Sequence, residues 1–201
     1  DGDDGFVQVL QGNGHGGFAE MRPSLLSVYR VDLTVGDLNG DGNLDVIAVD
    51  GVYGGWSGVA LLGNGAGGFI SQSEFIFGGT SATGGVAVGD LTGDGIADLV
   101  VAGAGADVFV GRGDGTFAAP VSHSANGAMQ TGVAVADFNG DGLRDAVTSD
   151  ADTDTVSELL SNGDGTLADA APYAVGSYPA AYAVGSSPSA IAGGDFNGDG
   201  R

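Results

Sequence analysis

The chain has 201 residues, 42% of them hydrophobic, with 41 Gly, 5 Pro and no Cys. That apolar content excludes disorder, the glycine excess disfavours long helices against many short strands, and the missing Cys excludes disulfide frameworks and thiolate metal sites. A formal charge of -21, from 26 acidic against 5 basic residues, repels nucleic acid and anionic membrane surfaces and leaves cations as the natural partners.

No apolar run approaches the ~18 to 20 residues of a membrane span, so no membrane insertion is expected. No signal peptide precedes Asp1, and a start on Asp rather than Met reads as a processed chain or a fragment.

The first element is "LQGNGHGGF" (10–18), a glycine-rich turn between short strands. Next comes "VGDLNGDGNLDVIAV" (35–49). Before its loop, Leu33, Thr34 and Val35 alternate large and small, the period of a strand; after it, "VIAV" is the continuous apolar run of a strand buried on both faces. "GVALL" (58–62) and "FISQSEFIF" (69–77) supply two more strands around the turn "LLGNGAGGF" (61–69).

The same order then recurs. "VGDLTGDGIADLVVA" begins at Val88, "VADFNGDGLRDAVTS" at Val135 and "GGDFNGDGR" at Gly193, while the turn motif returns as "VGRGDGTF" (110–117) and "LSNGDGTL" (160–167). The first aspartates Asp37, Asp90, Asp137 and Asp195 are 53, 47 and 58 residues apart. The long last interval has a visible source, because "YAVGSYP" at Tyr173 is repeated nine residues later as "YAVGSSP" at Tyr182. Segment "GAGADVFVG" (103–111) is similar to one nonapeptide of an RTX β-roll but has no tandem copy, and is read as the turn into a third strand. Four strands per unit of about 50 residues is a propeller blade. The expected fold is therefore all-β, with full blades at 27–78, 79–125 and 126–180 and partial ones at 1–26 and 181–201.

In "DLNGDGNLD", loop positions 1, 3, 5 and 9 are Asp37, Asn39, Asp41 and Asp45, and Gly42 stands where a sharp turn is needed. Hard oxygens in this number suit Ca2+, which accepts about 6 to 8 of them from a flexible loop, better than Mg2+, which keeps its waters and demands octahedral geometry. Position 7, occupied by Asn43, Ile96 or Leu143, would give only its carbonyl, which explains its variety. The second loop offers Asp90, Thr92, Asp94 and Asp98, with Thr92 expected to weaken it, and the third offers Asp137, Asn139, Asp141 and Asp145. The fourth holds Asp195, Asn197 and Asp199, its ninth position falling past Arg201, and is expected to bind weakly or not at all. Solvated Asp-Gly turns are the bland alternative, but turn chemistry does not require carboxylates at fixed offsets in one frame. EF-hands and dockerins share the opening but need a following helix, where this chain has β-branched residues.

Together the "DFNGDG..D" and "NGDGTF" motifs resemble the FG-GAP, or VCBS, repeats of integrin α-subunit propellers and many bacterial secreted proteins, over essentially the whole chain. The resemblance implies a calcium-stabilised β-propeller, this chain being a piece of a ring of about six to eight blades, with metal loops joining the first two strands of each blade. It also implies an extracellular or cell-surface setting and a binding, adhesion or scaffold role toward a protein or glycan ligand. The ligand sets it carries over are the loop residues already named.

Other features are weaker. Arg112, Gly113 and Asp114 spell the adhesion tripeptide, but in a slot filled elsewhere by ordinary hairpin turns. His15 and His123 fall in predicted turns without a Ser-His-Asp order and are read as solvated, and Glu20, Glu74 and Glu158 occupy unrelated repeat positions. Tyr53 and Trp56 lie in the longest connection between second and third strands, placed either to stack on a sugar or to plug a blade interface. The leading expectation is a non-catalytic module. The alternative is the non-catalytic-looking part of a secreted propeller enzyme such as a polysaccharide lyase, against which stand the absence of Lys and the scatter of five Arg.

Overall fold

The structure is a computed structural model and describes residues 5–7, 9–20, 24–26, 31–50, 57–76 and 84–174. Tyr53, Trp56, the duplicated segment after Ala174 and the fourth loop lie outside them.

All regular structure among the described residues is β. Strands β1 (Gly5–Val7), β2 (Leu10–Gly12), β3 (Phe18–Glu20) and β4 (Ser24–Leu26) make two short antiparallel ladders, β1 with β4 and β2 with β3. Then come three four-stranded antiparallel sheets, each in simple sequence order. The first has β5 (Val31–Gly36), β6 (Asp45–Asp50), β7 (Ser57–Gly63) and β8 (Phe69–Ile76). The second has β9 (Val86–Gly89), β10 (Asp98–Ala102), β11 (Ala106–Phe109) and β12 (Val121–His123). The third has β13 (Gln130–Ala136), β14 (Asp145–Asp150), β15 (Thr155–Leu159) and β16 (Ala171–Ala174). These are propeller blades.

The pattern of apolar residues decides where each strand lies. Every residue of β10 and β14 is buried, as continuous runs in second strands require, whereas the outer strand β16 is exposed throughout. The inner strands β5, β9 and β13 lie side by side. The core sits between blades. Ile47, Val49 and Ala60 of the first blade meet Val86, Leu99, Val101 and Phe109 of the second. Val100, Ala102 and Val108 of the second meet Val133, Ala146 and Leu159 of the third. Phe75 stands edge-on to Phe109 and Phe117, with ring centroids 5.3 and 5.4 Å away, so the first seam is closed by an aromatic cluster.

Candidate metal centres

The three described loops join β5 to β6, β9 to β10 and β13 to β14, all at the same edge of their blades. Each is wound around its first aspartate. Asp37 Oδ1 accepts the amides of Gly40 and Asp41 at 2.8 and 3.2 Å, and its Oδ2 accepts that of Gly42 at 2.8 Å. Asp90 takes Gly93, Asp94 and Gly95 at 2.7, 3.2 and 2.8 Å, and Asp137 takes Gly140, Asp141 and Gly142 at 2.6, 3.2 and 3.0 Å. The sixth-position glycines Gly42, Gly95 and Gly142 reach back with φ of 81°, 83° and 95°, a region that side chains avoid.

Asp41, Asp94 and Asp141 accept the amide two residues on, each at 2.8 Å. Asn39 and Asn139 also donate their side-chain amides to the fifth aspartate, at 3.1 and 2.9 Å. Thr92 instead turns its hydroxyl to Asp90, at 3.4 Å. The Asn43 amide and the Asn39 side chain hold the Asp41 carboxyl below its usual range. Desolvation pushes Asp137 upward, but the amides of Gly142, Gly140 and Asp141 hold it below the ordinary value.

The ninth position is different in kind. Asp45, Asp98 and Asp145 are 0% exposed. In each, one oxygen accepts the amide of the loop's second residue: Leu38 at 2.8 Å, Leu91 at 2.9 Å and Phe138 at 3.0 Å. The other accepts an amide at or just past the end of the third strand: Gly63 at 2.7 Å, Gly111 at 2.9 Å and Ser161 at 2.9 Å. Burial pushes the Asp98 carboxyl up, opposed by the amides of Gly111, Leu91 and Thr92. This aspartate therefore fastens its loop to the turn between third and fourth strands, a role its place in the motif did not reveal.

Position 7 is also more constrained than a residue giving only its carbonyl. A Cβ on Gly65 would lie 2.4 Å from Asn43 Oδ1, one on Gly113 3.4 Å from Ile96 Cδ1, and one on Gly163 3.2 Å from Leu143 Cδ1. Each of these side chains thus rests on a glycine of the neighbouring turn.

The oxygens at positions 1, 3 and 5, on half-buried residues at Asp37, Asp90 and Asp137 and on exposed ones at Asp41, Asp94 and Asp141, fit a hard cation in chemistry. The ninth fits only by sharing oxygens that already accept N–H bonds: both oxygens of Asp45 and Asp145 and Oδ1 of Asp98 keep a second acceptor direction, whereas Asp98 Oδ2 takes the Leu91 and Thr92 amides, at 2.9 and 3.1 Å. Among the described residues, no three Asp, Glu or His side chains gather about one point where they could hold an ion.

The "GRGDG" segment is a bound turn. Arg112 donates to the Phe117 carbonyl at 2.6 Å, and Asp114 accepts the amide and hydroxyl of Thr116 at 2.9 and 2.6 Å. Asp164 holds Thr166 in the same way, at 3.0 and 2.5 Å. His15 sits in an exposed turn as expected. His123 does not: it ends β12, half-buried, and its Nε2 accepts the Leu167 amide of the next blade at 3.3 Å. Sequence reasoning also missed the fully buried Asp150, which accepts Thr148, Gln130, Thr155 and Ser157 at 3.1, 3.2, 3.1 and 2.6 Å. Its partners come from the three strands β13, β14 and β15, so no local motif marks them.

Three stretches, 37–101, 98–148 and 137–201, match the FG-GAP-like repeat. The chain belongs to the FG-GAP-like repeat family. No curated protein matches it. Among solved structures, these FG-GAP-like repeats are similar to an Agrocybe aegerita lectin described for its specific recognition of non-reducing terminal N-acetylglucosamine. The TM-score is 0.56 and the identity 25%, over 84% of this chain and 46% of the lectin. The chain thus spans less than half of that protein's length. More distant are the Photorhabdus luminescens Tc holotoxin pore (TM-score 0.38, 19% identity, 87% of this chain, 11% of that one) and the V. cholerae biofilm matrix protein Bap1 (0.27, 14%, 85% and 35%).

Proposed function

We propose that this FG-GAP-like chain is a non-catalytic binding or scaffold module of an extracellular or cell-surface protein, stabilised by calcium and directed at a glycan. The observation carrying the calcium reading is the threefold recurrence of one oxygen set on one edge of the blades: Asp37, Asn39 and Asp41, then Asp90, Thr92 and Asp94, then Asp137, Asn139 and Asp141. The carbonyls of Asn43, Ile96 and Leu143 and the shared carboxylates Asp45, Asp98 and Asp145 would complete each set. When bound, calcium supplies the positive charge that these anionic loops lack. Asp195, Asn197 and Asp199 form the opening of a fourth such loop. The glycan reading is supported by the likeness to the N-acetylglucosamine-recognising lectin.

At calcium tenfold above Kd, each site contributes about 1.4 kcal/mol by mass action, so three contribute about 4 kcal/mol, comparable with the ~5 to 15 kcal/mol stability of a domain. Chelation should therefore lower the melting temperature, and Asp41→Asn should remove one site while the second and third still fill. A melt unmoved by chelator refutes structural calcium. An array of N-acetylglucosamine-terminated and other glycans, probed with calcium present, tests the ligand separately; no retention on any glycan refutes that part.

A further inference from the structure

The second and third loops touch, and a continuous run of hydrogen bonds passes between them. Asp145 of the third loop accepts the Ser161 amide at 2.9 Å. The Ser161 hydroxyl, in a residue only 8% exposed, donates to the Leu91 carbonyl at 2.7 Å, and Leu91 belongs to the second loop. The same hydroxyl accepts the Gly163 amide at 3.1 Å, which fixes its direction. The Leu91 amide donates to Asp98 at 2.9 Å, and the other oxygen of Asp98 accepts Gly111 at 2.9 Å. Alongside this run, Leu143 at position 7 of the third loop lies against the second, where a Cβ on Gly93 would come within 3.0 Å of its Cδ2.

The corresponding place between the first and second loops lacks the connecting group. Gly111 stands where the third blade has Ser161, so this position supplies no side-chain hydroxyl to the first loop. Buried hydrogen bonds of this kind are costly to leave half-made, so a change in the geometry of one carboxylate is passed to its partner rather than absorbed by water.

We infer that Ser161, with the buried Asp98 and Asp145 as positioning residues, couples the second cation loop to the third, so that filling either tightens the other, while the first loop acts alone. The inference rests on the calcium reading above. Coupling is reciprocal by thermodynamic necessity, and one linking hydroxyl between two small loops places its size near the low end of the usual range, about five-fold in affinity.

Hydrogen exchange read by mass spectrometry during a calcium titration of the whole chain follows the loops separately. Asp141→Asn, which cripples the third loop, should raise the calcium needed to protect 90–98 about five-fold and leave 37–45 unchanged. With Ser161→Gly, which installs the residue of the second blade, Asp141→Asn should no longer affect 90–98; with Ser161→Thr, which keeps the hydroxyl, it should. The inference is overturned if Asp141→Asn shifts 90–98 equally with and without the hydroxyl, shifts 37–45 as much, or shifts neither. Should calcium protect no loop, the calcium reading itself fails, and the hydrogen-bonded run is then judged in chelator. There Asp98→Asn should speed exchange at 111–117 and Ser161→Gly at 90–98, and unchanged exchange in both refutes it.

Discussion

Gly115 lies at the point where the third-to-fourth-strand turn of the second blade meets the first blade, and Gly115→Ala isolates the energy of that contact. Its φ is +79°, and a Cβ there would fall 2.6, 3.0 and 3.1 Å from Leu62 Cδ2, Cδ1 and Cγ, so the whole branched head of Leu62 blocks it. Ser73 also donates to the Gly115 carbonyl at 2.7 Å, so the turn cannot back away without breaking that bond. Gly165 repeats the arrangement, with φ +83° and Val110 Cγ2 at 2.5 Å. Gly16 occupies the same motif position with φ +81° but would meet nothing within 4 Å. Alanine in a left-handed conformation costs about 1 to 2 kcal/mol at any of the three. Overpacking adds about 1 to 3 kcal/mol where the Cβ strikes a neighbour, and Val110 yields less readily than Leu62 because its χ1 is stiff. The expected cost is therefore about 2 to 5 kcal/mol for Gly115→Ala and Gly165→Ala against about 1 to 2 kcal/mol for Gly16→Ala. Urea unfolding in chelator, with midpoints compared at unchanged m, measures the difference. Equal costs at all three positions would refute the account of the seam.

The "GRGDG" turn should be inert in adhesion, because Arg112 is committed to the Phe117 carbonyl and Asp114 to Thr116; integrin-dependent cell attachment to the wild type that Asp114→Glu abolishes would contradict this. His123 should make the seam between second and third blades sensitive to acid. Burial lowers its pKa from 6.5, against the upward pull of Asp107 and Asp164, so its stabilising effect is full above 6.5 and is lost as pH falls through 6.5 toward the folded value. Urea midpoints taken between about pH 8 and pH 5 should fall more for wild type than for His123→Gln, whose amide oxygen accepts the Leu167 amide without titrating; parallel curves would count against the seam role.

Much of the fold was legible because the interactions that make it are short in sequence. The alternation before Asp37, Asp90 and Asp137 and the apolar runs after Asp45 and Asp98 are local properties of strands. The loops and turns close through bonds spanning two to five residues, such as Gly42 to Asp37 and Thr116 to Asp114. The order of oxygens in each loop could be read in the same way. Trouble began where one residue type has two uses. An aspartate at position 9 looks the same in sequence whether it faces an ion or a backbone amide, and a histidine beside small residues looks like a turn whether or not another blade lies over it.

The sequence by itself determined the repeat, the strand order within each blade, the glycines of the left-handed turns and the chemistry of the loops, since each follows from backbone sterics and from side chains a few residues apart. Tertiary structure alone decided which groups are dry and whom they meet. Ser73 reaches Gly115 across 42 residues, His123 receives Leu167 across 44, and Ser161 reaches Leu91 across 70. The physical reason is that the apolar faces of neighbouring blades must close on one another to leave water. Asp45, Asp98, Asp145 and Asp150 are likewise left at 0% exposure, where hydrogen-bond partners are obligatory and come from whichever strands and turns the fold brings beside them.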